Sequence, residues 1–302
     1  MIVGCQAPAK VNLALHVTGR REDGYHTLDT LAGFFLPGDH LSAKLLPDDD
    51  DRLSIIGPFA ANLPVDGDNL VLKAARALRE AARASGYAAG GVSFELVKNL
   101  PVASGIGGGS ADAAAALLAL RHLWQLPDGF DLSAVALTLG ADVPMCLLSA
   151  PVRARGIGER LENLAWQREQ DMVLVNPGVS VSTPQVFQAL RGQFSPGLGE
   201  IGADPFSAEH LSGLGNDLEK AAMQIAPEIG LVLEMLQQQE GVSLCGMSGS
   251  GATCYALFDN GGRAEAARLR LIDKYPGWWC VRGTLLGKAS PERVTINMDA
   301  TD

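Results

Sequence analysis

From residue 100 to residue 112 the chain reads Leu-Pro-Val-Ala-Ser-Gly-Ile-Gly-Gly-Gly-Ser-Ala-Asp, and it runs straight into the alanine-rich segment Ala113 to Leu120. Four glycines in the five positions 105–109 do not hold a regular element, because each can visit backbone angles closed to other residues. A strong helix former follows at once. A glycine loop that opens a helix gathers bare backbone N–H groups, and the positive end of the helix dipole, around one small volume. That volume suits a phosphate. The familiar nucleotide motifs do not fit it. No lysine follows Gly109, as a Walker loop requires. Ser110 stands where the third glycine of G-x-G-x-x-G belongs. The G-x-S-x-G turn of hydrolases is absent around Ser104 and Ser110. A pair of glycines is ordinarily chosen for lack of bulk where a helix packs on a strand. This cluster, with Ser110 at the helix start, favours anion binding over that plainer reading.

Composition sets the scale around the loop. The 302 residues are 47% hydrophobic, enough for one large domain or two ordinary ones. No apolar run approaches the roughly 20 residues that a membrane span needs. Residues 1–10 lack the basic and then apolar pattern of a signal peptide. Cys5, Cys146, Cys245, Cys254 and Cys280 are odd in number, scattered and without C-x-x-C spacing. Disulfide scaffolding and structural zinc are thereby disfavoured, and a reducing cytoplasm is the expected location. A net charge of −10 without a Lys/Arg stripe argues against a nucleic-acid partner. Small anionic substrates remain open, since they respond to the local site.

Along the chain, the alternation at 91–97 predicts a strand. Residues 69–84 predict a helix with Leu70, Ala74, Leu78 and Ala81 on one face, Asp68 or Asn69 as cap and Gly86 as stop. A short helix is expected at 132–139, between Asp131 and Gly140. The acidic run Asp48 to Asp51 reads as a solvated loop rather than a metal site. Composition shifts near 151–159. Beyond it we expect a strand at 172–175, a Gly/Ser/Pro-rich loop at 191–205, helices at 218–225 and 229–238, a strand at 253–258, a helix at 264–274 and a frayed tail after Val294. Strands and helices mix without strict alternation, which predicts an α+β chain of two domains with a border near 150–165. No internal repeat is evident.

Four segments stand together as candidates for chemistry. They are Pro8-Ala9-Lys10-Val11-Asn12-Leu13 with the later Gly19-Arg20-Arg21-Glu22-Asp23-Gly24-Tyr25-His26-Thr27-Leu28-Asp29-Thr30, the glycine loop, Gly140-Ala141-Asp142-Val143-Pro144, and Gly246-Met247-Ser248-Gly249-Ser250-Gly251-Ala252. With these the chain resembles the GHMP superfamily, which groups galactokinase, homoserine kinase, mevalonate kinase and phosphomevalonate kinase. The two glycine-containing loops carry the superfamily resemblance. The first and third segments are similar to the branch acting on 4-diphosphocytidyl-2-C-methyl-D-erythritol in the non-mevalonate isoprenoid pathway. The resemblance extends from Pro8 to about Phe258.

That resemblance implies a two-domain GHMP kinase fold. Residues 1–160 would form an N-terminal domain like domain 2 of ribosomal protein S5, and residues 161–302 a ferredoxin-like α/β sandwich, with the active site in the cleft between them. It implies ATP and Mg2+, and phosphorylation of the acceptor's 2-hydroxyl. The loop Pro101, Val102, Ala103, Ser104, Gly105, Ile106, Gly107, Gly108, Gly109 and Ser110 would hold the ATP phosphates, with Ser110 reaching the metal or the β-phosphate. Asp142 would accept the proton of the attacking hydroxyl, and Lys10 would stand beside it and offer positive charge to the γ-phosphate. Asn12 would orient the acceptor, while Asn69 and Lys98 would line the adenine side. Tyr25 would be a platform for cytosine and His26 would hydrogen-bond its edge. Phe187, following Thr183 in Ser182-Thr183-Pro184-Gln185-Val186-Phe187, would close the sandwich. A buried core position is the plainer reading of Phe187, and a helix cap or solvated charge that of Asp142 and Lys10 taken singly. Ala103-Ser104 and Ile106 depart slightly from the family pattern, as do Met145-Cys146. The implied enzyme is cytoplasmic, a monomer or weak homodimer, with no nucleic-acid or membrane partner. The competing readings are another GHMP kinase, which would have no use for Tyr25 and His26 as a base clamp, a nucleotide-binding protein that has lost catalysis, and a structural or RNA-binding protein, which the acidic balance disfavours.

Overall fold

The structure is a computed structural model that describes residues 1–166, 168–288 and 293–297. Its frame is a long antiparallel hairpin of β1 (Ile2–Arg20) and β2 (His26–Leu45), in register from Ile2 opposite Lys44 to Arg20 opposite His26. β1 shows a period of two that changes partners as it goes. Val3, Cys5 and Ala7 enter one core cluster, Ala9, Val11 and Leu13 a second, and Leu15 and Val17 a third. The first two hand-overs fall beside register shifts at Ala7/Ala9 and Asn12/Ala14, where irregularities re-aim the strand. Lys10 and Asn12 are the even-numbered neighbours in this stretch, and alternation puts them on the opposite face.

After the hairpin come β3 (Arg52–Ile56), α1 (Leu70–Ala84), β4 (Val92–Val97), α2 (Gly108–Leu123), α3 (Leu132–Leu139), α4 (Val143–Leu148), β5 (Val152–Gly156) and β6 (Arg160–Asn163). The remaining elements are β7 (Gln170–Asn176), α5 (Thr183–Ala189), α6 (Ala208–Ser212), α7 (Glu219–Ile225), α8 (Glu228–Gln237), β8 (Val242–Met247), β9 (Cys254–Phe258), α9 (Gly261–Lys274), β10 (Trp279–Leu285) and β11 (Val294–Asn297). One sheet runs β11-β1-β2-β10-β7-β9-β8, with β4 and β5 also paired to β2, β3 to β4 and β6 to β5. The chain is α+β, as its composition of elements predicts.

Local chemistry explains the helix ends. Asn69 caps α1 by accepting from the Val71 N–H at 2.9 Å, and Asp131 caps α3 through the N–H groups of Ser133 and Ala134. α2 is buried on nearly every side because Ala111, Ala113 to Ala116 and Ala119 are small enough to lie against β1, β2, α1 and α4. Alanine also has the highest helix propensity, so packing and backbone preference agree here.

Two expectations change. Residues 151–159, where composition shifts, belong to the β5–β6 hairpin, which extends the sheet from β2 at Leu28 to Ala32. The tail does not fray at Val294: β11 pairs antiparallel with Ile2 to Cys5 of β1, which offers its edge there. The part of the tail after Asn297 lies outside the described residues. The Asp48 to Asp51 segment is a loop, as expected, but Asp48, Asp49 and Asp51 are ion-paired with Arg52, Arg83 and Arg79.

Candidate active site

The glycine loop is fixed from both sides before any ligand is considered. The Ile106 carbonyl accepts from the Lys10 N–H at 2.9 Å, and the Ser104 carbonyl from the Thr253 N–H at 3.1 Å. Ser248 bridges the two small-residue loops: its hydroxyl donates to the Gly105 carbonyl at 2.9 Å and accepts from the Asn12 N–H at 3.0 Å. Gly105 has φ +80°, and a Cβ there would overlap the Ser248 carbonyl oxygen. Gly107, at φ 64°, is the N-cap of α2 and supplies no side-chain cap. The first N–H groups of this 16-residue helix are thus left open toward the loop, with the positive end of the dipole behind them. Ser110 sits in that first turn, and among the described residues its hydroxyl makes no hydrogen bond.

Lys10 and Asp142 meet beside Gly107. The Lys10 ammonium lies 3.3 Å from Asp142 Oδ2; the lysine side chain is 7% exposed and the aspartate 39%. The ammonium also donates to Asn12 Oδ1 at 2.8 Å. Asn12 in turn donates to Thr30 Oγ1 at 2.8 Å, and Thr30 donates to the Ala14 carbonyl at 2.6 Å. This chain leaves Lys10 little rotational choice. Asp142 holds the position before α4 without a side-chain capping bond, so its carboxylate faces the cavity rather than its own backbone.

That cavity has a volume of about 190 Å³, and Lys10, Asn12, Gly105, Gly107, Asp142 and Thr183 are in its wall. Thr183 shares a hydrogen bond of 2.8 Å with Ser250 of the second loop. Leu28, Ile157, Thr183 and Phe187 also line a larger cavity of about 860 Å³ that contains Tyr25 and His26. Here His26 and Phe187 stack on one another, centroids 4.7 Å apart and planes 21° apart, while Tyr25 stands 64% exposed. Phe187 is half-buried: it packs against the core and also lines this cavity. Burial and the Arg20 charge both hold the His26 imidazolium below the usual histidine range, which favours a neutral ring at neutral pH.

On the other side of the glycine loop a cavity of about 210 Å³ is walled by Asn69, Lys98, Pro101, Val102, Ala103, Gly108 and Gly109. Asn69 and Lys98 line it, but their polar atoms already have partners. Asn69 caps α1 and donates to the Pro64 carbonyl at 2.8 Å. The Lys98 ammonium is buried between Asp39 and Asp112, donating to each carboxylate. Asp39 also accepts from the N–H groups of Asn99 at 2.6 Å and Leu100 at 2.8 Å, tying the strand end to the loop. Burial works against the Lys98 charge, yet Asp112 and Asp39 outweigh it and raise its pKa. Burial pushes the Asp112 carboxyl up to about 7; Lys98 counters this and Asp39 adds to it. One cation serving two buried carboxylates accounts for both directions.

Sequence reasoning did not find Asp39, Asp112, Thr30 or the particular role of Ser248. Ser248 had a signal, since it is centred in a loop already singled out. Asp39 had none, because its partners lie about sixty residues ahead.

The comparisons with known proteins agree with this architecture. The family described as GHMP kinases N terminal domain matches residues 69–150, and GHMP kinases C terminal matches residues 204–277. A homoserine kinase from Cytophaga hutchinsonii, 20% identical, has the same fold with a TM-score of 0.67 over 95% of each chain. Nearer relatives narrow the class. A 4-diphosphocytidyl-2-C-methyl-D-erythritol kinase of Cereibacter sphaeroides (strain KD131 / KCTC 12085) is 48% identical, covering 93% of this chain and 98% of its own. One of Rhizobium etli (strain CIAT 652) is 47% identical over 91% and 92%. A crystal structure of 4-(cytidine 5'-diphospho)-2C-methyl-D-erythritol kinase, 38% identical, superposes with a TM-score of 0.77 over 94% of this chain and 99% of that one. The chain belongs to the 4-diphosphocytidyl-2-C-methyl-D-erythritol kinase family of the GHMP kinases.

Proposed function

We propose that this chain transfers the γ-phosphoryl group of ATP to the 2-hydroxyl of 4-diphosphocytidyl-2-C-methyl-D-erythritol, giving the 2-phosphate used in isoprenoid precursor synthesis. One observation carries the reading. The cavity holding Lys10 and Asp142 is bounded by the glycine loop and shares wall residues with the aromatic cavity of Tyr25, His26 and Phe187. A phosphate donor and a cytidine-bearing acceptor therefore converge on one carboxylate. Residues 1–160 and 161–302 would be the two domains that contribute them, and the cytoplasm the compartment.

Asp142 accepts the proton of the 2-hydroxyl as its oxygen bonds to the γ-phosphorus and the bond to the leaving ADP oxygen breaks. Lys10, oriented by Asn12 and Thr30, places its ammonium toward the charge on the moving phosphoryl group. The open N–H groups of Gly108 to Ser110 receive the phosphates that do not move. The donor set suits Mg2+: Ser110 offers an uncommitted hydroxyl oxygen, a hard ligand, and would hold the ion together with phosphate oxygens and waters. Bound there, the ion would offset phosphate charge. Tyr25 and Phe187 grip the cytosine ring and His26 its edge, once a base enters between the rings.

Tyr25→Ala tests the acceptor side. Base stacking is worth about 1–3 kcal/mol, so KM for the cytidine substrate rises about 5- to 150-fold with KM for ATP unchanged. Equal acceptor KM in the variant and the parent would remove the base clamp.

A further inference from the structure

The 860 Å³ cavity has a charge pattern that base stacking does not explain. Besides Tyr25, four of its lining side chains are ionisable: Arg20, Asp23, His26 and Arg191. Asp23 is already engaged, pairing with Arg21 at 2.7 Å and accepting from the Tyr25 N–H at 3.2 Å. His26 is held toward its neutral form. Arg20 and Arg191 are different. Among the described residues neither guanidinium has an acidic partner, although acids outnumber bases by 34 to 24 in the chain. Arg20 leaves the end of β1 and donates through Nε to the Gly24 carbonyl at 3.2 Å, which orients the guanidinium while leaving both terminal nitrogens open. Its charge reaches the base site, since it lowers the His26 pKa. Arg191 follows α5 in a left-handed backbone conformation, φ 51°, with Gly192 at φ 75° after it. That left-handed turn directly after the C-cap Leu190 ends α5 and brings Arg191 to the cavity wall. Two unpaired guanidiniums in one aromatic cavity of an otherwise acidic protein make a local anion field, and guanidinium geometry suits phosphate oxygens.

We propose that Arg20 and Arg191 recognise the diphosphate of the acceptor, so that the cavity selects a nucleoside diphosphate over the bare nucleoside; this rests on the acceptor proposed above. Base rings and cations divide the work, with stacking reading cytosine and the arginines reading charge. Both arginines line the acceptor cavity and neither lines the cavity beyond the glycine loop, so nucleotide-donor binding is independent of them.

The test is titration calorimetry of the purified chain, saturated with ADP, against CDP and against cytidine. The parent protein binds CDP at least about tenfold more tightly than cytidine, and added salt shrinks that ratio. Arg20→Gln and Arg191→Gln each cut CDP affinity about tenfold and leave cytidine affinity unchanged, while Arg→Lys at either position restores part of the loss. Both side chains are exposed, so the variants fold. Variants that keep the parent's CDP-to-cytidine ratio would overturn the inference while cytidine binding still upheld the acceptor. A parent protein that bound neither ligand would overturn the acceptor and this inference together.

Discussion

Lys10 and Asp142 are separated by 132 positions in the sequence and by 3.3 Å in space, and the proposed chemistry rests on this pair. Lys10 is held by Asn12 and the glycine loop, whereas Asp142 is left uncapped at a helix start. Asp142→Asn keeps the shape and removes the proposed proton acceptor. We expect kcat to fall about 10²- to 10⁴-fold while ATP affinity, measured by calorimetry, stays within about twofold. A kcat within threefold of the parent would leave Asp142 as an orienting group only. At this scale the short motifs pointed to residues that the fold brings to two adjoining cavities, Lys10 and Asp142 in one and Tyr25 in the other. The sequence was silent where a residue acts through distant backbone. Ser248 touches Asn12 and Gly105, 236 and 143 positions away, and nothing in its own neighbourhood specifies either partner. Lys98 shows the opposite limit: its motif position points to nucleotide binding, and only the structure reveals that its ammonium is committed to two carboxylates.

Among the elements, the glycine loop with α2 is the part that tolerates least. Gly105→Ala would place a methyl group against the Ser248 carbonyl at a backbone angle unsuited to alanine, separating the two loops that shape the proposed phosphate site. ATP affinity should fall about tenfold or more by calorimetry, with cytidine affinity kept; parent-like ATP affinity would contradict this geometry. Lys98→Ala strips the cation from Asp39 and Asp112 beneath the same loop. Removing one partner from a buried ion cluster costs about 3–5 kcal/mol, read as a lower urea midpoint at an unchanged m-value. A loss under 1 kcal/mol would mean the carboxylates find other partners. Helices such as α1 and α3 were legible because Asn69 and Asp131 announce their starts and Gly86 and Gly140 their ends. The β1–β2 hairpin was not read, although it is the largest element. Its strands are buried almost throughout, and register shifts break the alternation that marks a half-buried strand.

For the molecule as a whole, the sheet passes from β2 to β10 through the pairs Leu36–Thr284 and Phe35–Leu285, so early and late parts of the chain share one backbone network. β1 contributes to all three core clusters, and Lys10 and Asn12 alternate with Ala9, Val11 and Leu13, which enter the middle one. The α+β class was visible in the mix of patterns, whereas this continuity was not, because strand order depends on pairings hundreds of residues apart. The arrangement predicts one active cleft serving one acceptor. The direct test is ATP consumption by the purified chain with Mg2+, offered the cytidine diphosphate methylerythritol, homoserine, mevalonate or galactose in turn. Turnover with the cytidine compound alone is the expected result. Turnover with another acceptor alone would keep the kinase and discard the cytidine clamp, and no turnover with any of the four would contradict the central claim.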